Sequence, residues 1–336
     1  MEMGYRPVCV AGDPLEYFLQ ERDEEARVRI ADIVVRENKS TRELFSPLIR
    51  LATGSPWSHS AIFYLLSDPH QGYDNTFLIE VTTKGARVAS WRKEIYPLKQ
   101  FNVGIKRLNV DWYAETPYEK SRHDSRDPED THGISYLRHV RGIALDHINS
   151  LYDHKTVYEM TALYAERLAK RHLGSIPGVA DAAASIATLF KKWDEDSETS
   201  INMLHFICSG MVQYSFFEAL RRRIINDLAI PEHQDAAMSN LHNVHRILFR
   251  DDPEGMFADY VHRIQSEKQD IAAPVPDNVL NLLKTATPAD FSNSESLEWR
   301  YIIREGIVWR IEKIVGEYEP RDEEEAAVLE MMKTEQ

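Results

Sequence analysis

Cys208, His59 and Glu80 are the residues whose types could together do acyl-transfer chemistry. A cysteine attacks a carbonyl as its thiolate, and a neighbouring imidazolium supplies that thiolate near neutral pH. The imidazole needs a carboxylate on its other ring nitrogen to fix its tautomer. Cys208 sits where the apolar approach His205-Phe206-Ile207 meets Ser209-Gly210-Met211-Val212-Gln213-Tyr214, which reads as the start of a helix. Unpaired N–H groups and the positive end of the macrodipole favour a thiolate at such a start. The competing reading is a structural cysteine, because free cysteine commonly packs as a small hydrophobe. This run alone favours the structural reading. What shifts the balance is the pair of strands that would carry the other two groups.

From Trp57 the hydrophobic period is two. Residues 58–65 read as a strand, Asp68-Pro69, Gly72 and Asp74-Asn75 as a loop, and residues 77–82 as the next strand. An antiparallel register with His59 opposite Glu80 also sets Ile62 opposite Phe77 and leaves residues 66–73 to connect them. His59, Ala61 and Phe63 then share a face with Leu78 and Glu80. Glu80 is a charge inside Phe-Leu-Ile-Glu-Val, so it either faces water or has a partner. The alternative is a half-exposed strand with Glu80 in solvent and His59 as a capping residue.

The rest of the chain reads as α+β. Ser40 and Glu43 have capping-box spacing, opening a helix that Pro47 kinks and Gly54-Ser55-Pro56 ends. Residues 85–91 and 102–108 are further strand candidates, completing an antiparallel meander. Residues 114–133 are polar and read as an exposed insertion. Helical patterns follow over 157–174 and 179–193, from Cys208 to about Ile225, and over 234–249, 253–268 and 277–284. Asp252-Pro253 is an N-cap and N1 pair. Residues 299–317 are ambiguous between strand and helix. With no internal repeat and no clear linker, residues 1–317 read as one domain. Residues 318–336 read as an acidic tail, with the charge run from Glu317 to Glu325 solvated.

Composition narrows the function classes. The 336 residues are 43% hydrophobic, which is ample for a sizeable core, and carry a formal net charge of −14. That balance argues against nucleic acid or an anionic membrane face as a partner. Two cysteines, Cys9 and Cys208, make no disulfide framework and suit a reducing compartment. The start lacks a signal-peptide pattern and no apolar run is long enough to span a bilayer, so a cytoplasmic location is expected. His242 with His245, and His147 with His154, have spacings a metal could use, but no carboxylate-and-histidine motif completes a site. No phosphate loop or dinucleotide fingerprint occurs, and no cofactor is expected. Arg167, Lys170, Arg171 and His172 read as the wet side of a helix.

Several of these motifs also carry a resemblance. Gly54-Ser55-Pro56-Trp57-Ser58-His59-Ser60-Ala61-Ile62, then Ile79-Glu80-Val81 with Gly85-Ala86-Arg87-Val88, then Cys208-Ser209 heading a helix, resemble the circularly permuted branch of the NlpC-type papain-fold hydrolases, the YiiX-like proteins. Tyr152-Asp153 resembles a Tyr-Asp pair of that branch, and Thr287-Pro288-Ala289-Asp290-Phe291 with Ser294 resembles its closing segment. The likeness spans about residues 10–300. Relatives often carry Glu two residues after the cysteine, where this chain has Gly210, and an aliphatic residue after Gly-Asp, where it has Pro14.

The resemblance implies a permuted papain-like fold whose antiparallel sheet packs against the cysteine helix, with extra helices. It also implies that Tyr152 lines the site. With the three residues taken jointly, the expectation is a cysteine hydrolase acting through an acyl-enzyme. Cys208 is its nucleophile, His59 the general base and then acid, and Glu80 the residue orienting His59, with the Cys208 N–H holding the oxyanion. The substrate expected first is a small peptide or cell-wall-like amide. Lipid acyl transfer or deacylation of the lecithin:retinol acyltransferase-like kind is the enzymatic alternative. A papain-fold interaction module without turnover is the alternative of another class. The oligomeric state is left open.

Overall fold

The computed structural model describes residues 3–10, 27–38, 46, 49–50, 53–66, 75–95, 101–122, 133–148, 150, 207–266 and 271–333. The strands are β1 (Met3–Val10), β2 (Ile33–Asn38), β3 (His59–Leu65), β4 (Phe77–Thr82), β5 (Gly85–Ser90), β6 (Phe101–Leu108), β7 (Leu297–Arg304) and β8 (Ile307–Val315). The helices are α1 (Trp91–Ile95), α2 (Pro117–Arg122), α3 (Ile134–Asp146), α4 (Cys208–Leu228), α5 (Gln234–Asn243), α6 (Met256–Ser266), α7 (Asp277–Lys284), α8 (Pro288–Asn293) and α9 (Glu323–Met332). The expected helices over 157–174 and 179–193 lie outside the described residues, as does most of the one opened by Ser40.

The strands form one sheet in the order β1-β8-β7-β6-β2-β3-β4-β5, with every pairing antiparallel. The mixed α and β content and the antiparallel sheet are as expected. The simple meander needs correcting, because of its four strands only β3, β4 and β5 are neighbours in chain order. Strand β6 leaves that order and pairs with β2 and β7 instead. Its neighbour β2, Ile-Val-Val-Arg-Glu-Asn, pairs with β3 on its other side.

Both faces of the sheet are buried. Ile33, Val35, Ile62, Ile79 and Val81 belong to the cluster shared with the helices, while Val34, Ala61, Phe63, Leu78, Val103 and Ile105 form a second cluster. Alternation along each strand divides them. Lys106 is buried on the central strand β6, where Nζ donates to the Ser292 and Ser294 carbonyls at 2.7 and 3.1 Å over the Trp299 ring. Those carbonyls end helix α8, where a cation is favourable. The α8 start carries a capping box of Thr287 and Asp290.

Helix α4 is buried on nearly all sides along its first half, as suits a helix central to a domain. It packs on β3 and β4 and is flanked by α3, α5 and α7. Its polar side chains are satisfied inside: Gln213 donates to the Ile247 carbonyl and accepts from the Phe249 N–H at 2.8 Å. Gly210 allows the closest contact. A Cβ there would lie 1.7 Å from the Lys284 carbonyl oxygen, so the end of α7 occupies the space a side chain would need. Gly210→Ala is therefore expected to destabilise the fold by about 2 kcal/mol or more, as overpacking against backbone does. Urea denaturation of the two proteins measures it.

One open alternative is decided and two further expectations are corrected. Residues 299–317 belong to a β-hairpin: β7 and β8 are joined through Glu305 and Gly306, both at positive φ (53° and 85°), which suits a two-residue hairpin loop. The polar stretch after residue 114 is not simply exposed. Glu115, Thr116 and Glu119 are buried, and the Glu119 carboxylate accepts from the Thr116 N–H at 2.8 Å and pairs with Arg223 at 3.0 Å. Nor is the acidic C-terminal run only a solvated tail. Helix α9 lies beside β1, and Glu325 is buried among Tyr318 and Arg321. Val328, Met331 and Met332 are buried too, and the Met331 carbonyl accepts from Trp57 Nε1 at 3.1 Å. The apolar face Val-x-x-Met-Met outweighs the charges before it.

Helix α6 starts at Met256 rather than Pro253. Asp252 still serves its start, because its carboxylate accepts from the N–H groups of Phe257 and Ala258 at 2.9 and 3.0 Å.

Candidate functional site

His59 is the first residue of β3 and Cys208 the first of α4, so the site forms where a strand start and a helix start meet. Trp57, fully buried and tied to α9, anchors the chain just before His59, and the Ser58 N–H donates to the Arg36 carbonyl at 3.0 Å. Ile207 is extended (φ −81°, ψ 163°), and the first helical bond runs from the Met211 N–H to its carbonyl at 3.1 Å. No side chain caps the helix, and its first turn holds no acidic residue. The positive end of α4 therefore faces the Cys208 sulfur without a competing carboxylate.

The structure brings His59 and Glu80 together in a register different from the expected one. Ala61 lies opposite Glu80, Ile62 opposite Ile79 and Phe63 opposite Leu78, and an irregularity follows between Phe63 and Leu65. The register is displaced by two residues, which keeps every side chain on its expected face; a one-residue slip would have reversed them. His59 is thus the diagonal neighbour of Glu80, and its Nε2 lies 2.8 Å from Glu80 Oε2. The other carboxylate oxygen, Oε1, accepts from Arg87 Nε at 2.9 Å and Nη2 at 2.6 Å. Glu80 is 1% exposed, so the solvent-facing alternative for it is overturned.

His59 and Cys208 are close enough to act on one another through charge and a side-chain hydrogen bond. Burial alone would push the His59 imidazolium down. The negative charge of Cys208 and the hydrogen bonds to Cys208 and Glu80 together outweigh both this and the nearby Arg36, and raise His59 to about 9. Burial likewise pushes the Cys208 thiol up, but the charge and hydrogen bond of His59, the Ser60 backbone N–H and the Ser209 side chain bring it down to about 7. Burial also opposes the Glu80 carboxylate. Its hydrogen bond to His59, the His59 charge, Arg36 and Arg87 together lower it to about 2. All three shifts run in the direction that favours a thiolate–imidazolium pair backed by an ionised carboxylate.

Cys208 is 2% exposed, and the His59 side chain, at 14%, is the more accessible of the two. Cys9, the other free cysteine, is exposed on β1. Tyr152 and His154 lie outside the described residues. His147 packs edge-on against Tyr214, and His242 and His245 are exposed, each with Nδ1 on a backbone carbonyl of its own helical segment. Among the described residues no group of three or more His, Cys, Asp or Glu could hold a metal ion. No helix among them is long and apolar enough to cross a membrane.

Sequence reasoning gave no role to Arg36 and Arg87, which stand directly opposite His59 and Glu80 in the register. Arg87 had a usable signal. Gly85 takes φ +100°, closing a tight turn with Thr82, and counting back along both strands sets Glu80 against Arg87. The chain matches no protein-family model and no curated protein sequence.

Proposed function

We propose that the protein is a cysteine hydrolase of permuted papain-like topology that cleaves an amide through an acyl-enzyme. The observation that carries this is the His59 ring, held by the Glu80 carboxylate at 2.8 Å and near enough to the Cys208 thiol to lower it through charge and a hydrogen bond. Cys208 attacks the carbonyl carbon, forming the C–S bond. The carbonyl electron pair moves onto oxygen, where the N–H groups at the start of α4 stabilise it. The His59 imidazolium gives its proton to the leaving amine as the C–N bond breaks. Neutral His59 then takes a proton from water, whose oxygen attacks the thioester; the C–S bond breaks, the acid leaves and the thiolate is restored beside a ring that keeps that proton. A small peptide-like amide is the first substrate class, and the ester of an acyl lipid the second.

A second reading keeps the fold and the triad without turnover. The 2% exposure of Cys208 favours it, since an acyl group must reach the sulfur. An activated ester separates the two readings. The hydrolase gives a burst of released phenolate close to one per chain and an acyl adduct on the peptide that contains Cys208. No burst and no adduct on that peptide, with Cys9 modified or not, would leave the interaction module.

A further inference from the structure

Arg87 is placed to control which oxygen of Glu80 serves His59. It lies opposite Glu80 on the edge strand β5, and its Nε and Nη2 both reach Oε1, at 2.9 and 2.6 Å. Two parallel N–H donors from a planar guanidinium fix the plane of a carboxylate as well as its charge. Oε2 is then left in line with His59 Nε2, at 2.8 Å. The Glu80 side chain is only 1% exposed, so water cannot take over that orienting role, whereas Arg87 is 44% exposed. A pair formed only for charge would contribute little with one partner so open to solvent. The fork geometry is what remains to matter.

We propose that Arg87 is a positioning residue: by clamping Oε1 of Glu80 it holds Oε2 on the His59 ring, and so sets the tautomer that presents the other ring nitrogen to Cys208. This rests on the triad reading above. Among the described residues the charged groups that act on the ring are Cys208 from α4, Arg36 from β2, and Glu80 from β4 with Arg87 of β5 behind it. Orientation and simple charge give opposite signs. If Arg87 acted only as a cation, removing it would relieve repulsion of the imidazolium and raise the His59 pKa. If it aims the carboxylate, losing the fork lets Glu80 swing away and lowers that pKa.

The test follows the His59 ring by NMR as a function of pH in Cys9→Ser protein, with Arg87→Met and Arg87→Lys as variants and the ester burst as a rate readout. The expected result is that both variants shift His59 below the parent's value near 9 and slow acylation by about tenfold to a hundredfold. Lysine fails to rescue because it keeps the charge and loses the fork, and it stands in should the methionine variant not fold. An upward shift with methionine and none with lysine would overturn the positioning role, as would two variants that titrate and react like the parent. A parent whose His59 titrates as an ordinary exposed histidine overturns the triad reading itself, which is a different failure.

Discussion

Cys208→Ala in a Cys9→Ser background is expected to abolish the acylation burst, lowering its rate by about a thousandfold or more. No other residue at the start of α4 can replace the sulfur. Ser209 is the nearest hydroxyl, 3.9 Å from it, but its engagement with Cys208 serves to hold the thiolate. Removing one buried sulfur leaves a small cavity and costs about 1 kcal/mol, so the variant should fold and the loss will be chemical. Mass spectrometry of the acylated peptide, with urea denaturation beside it, measures both. A variant that acylates at the parent rate would remove Cys208 from the chemistry.

Glu80→Gln is the second large effect, and its sign follows from the groups around it. The amide cannot balance the imidazolium, and Arg36 and Arg87 are then no longer opposed by a carboxylate. His59 should titrate lower, so the alkaline limb of the rate profile moves toward the acid limb. In the parent the rate should rise as the pH passes about 7, where the thiolate forms, and fall as it passes about 9, where the imidazolium is lost. These values belong to the coupled pair. In the variant the bell narrows and its maximum falls by about a hundredfold. Stability should fall less than for a fully buried ion pair, by about 1–2 kcal/mol, because Arg87 can turn to water. A profile of unchanged width would show that Glu80 does not act on His59.

The three site residues were legible because each sat in a pattern with a physical meaning. Period two from Ser58 and from Phe77 gave β3 and β4, and a cysteine before an apolar 3.6-residue period gave the start of α4. The register was not legible to the residue. The connection between β3 and β4 is too long to fix it as a tight turn would, and the irregularity near Tyr64 shifts the count. The faces survived because the displacement was even. Strands β7 and β8 stayed open between strand and helix because Trp-Arg-Tyr-Ile-Ile-Arg suits either period, although Glu305-Gly306 stands at the turn. The C-terminal run was misjudged from its charges. Arg321, Asp322 and Glu325 hold the start of a helix whose next turns bury Val328 and Met331. The sequence offers no physical reason for Gly210; its cause is the Lys284 carbonyl, from a segment distant in the chain.

Ionisation of Cys208 tests the central claim most directly, because it needs neither a substrate nor access to the sulfur. Ultraviolet thiolate absorbance of Cys9→Ser protein, with the Cys9→Ser/Cys208→Ser spectrum subtracted, should show the thiolate forming near pH 7. With His59→Ala added, the same inflection should move well above that, since burial then acts without its counter-charge. A parent inflection at the ordinary thiol value or above, unmoved by His59→Ala, would contradict the thiolate–imidazolium pair on which the whole account stands.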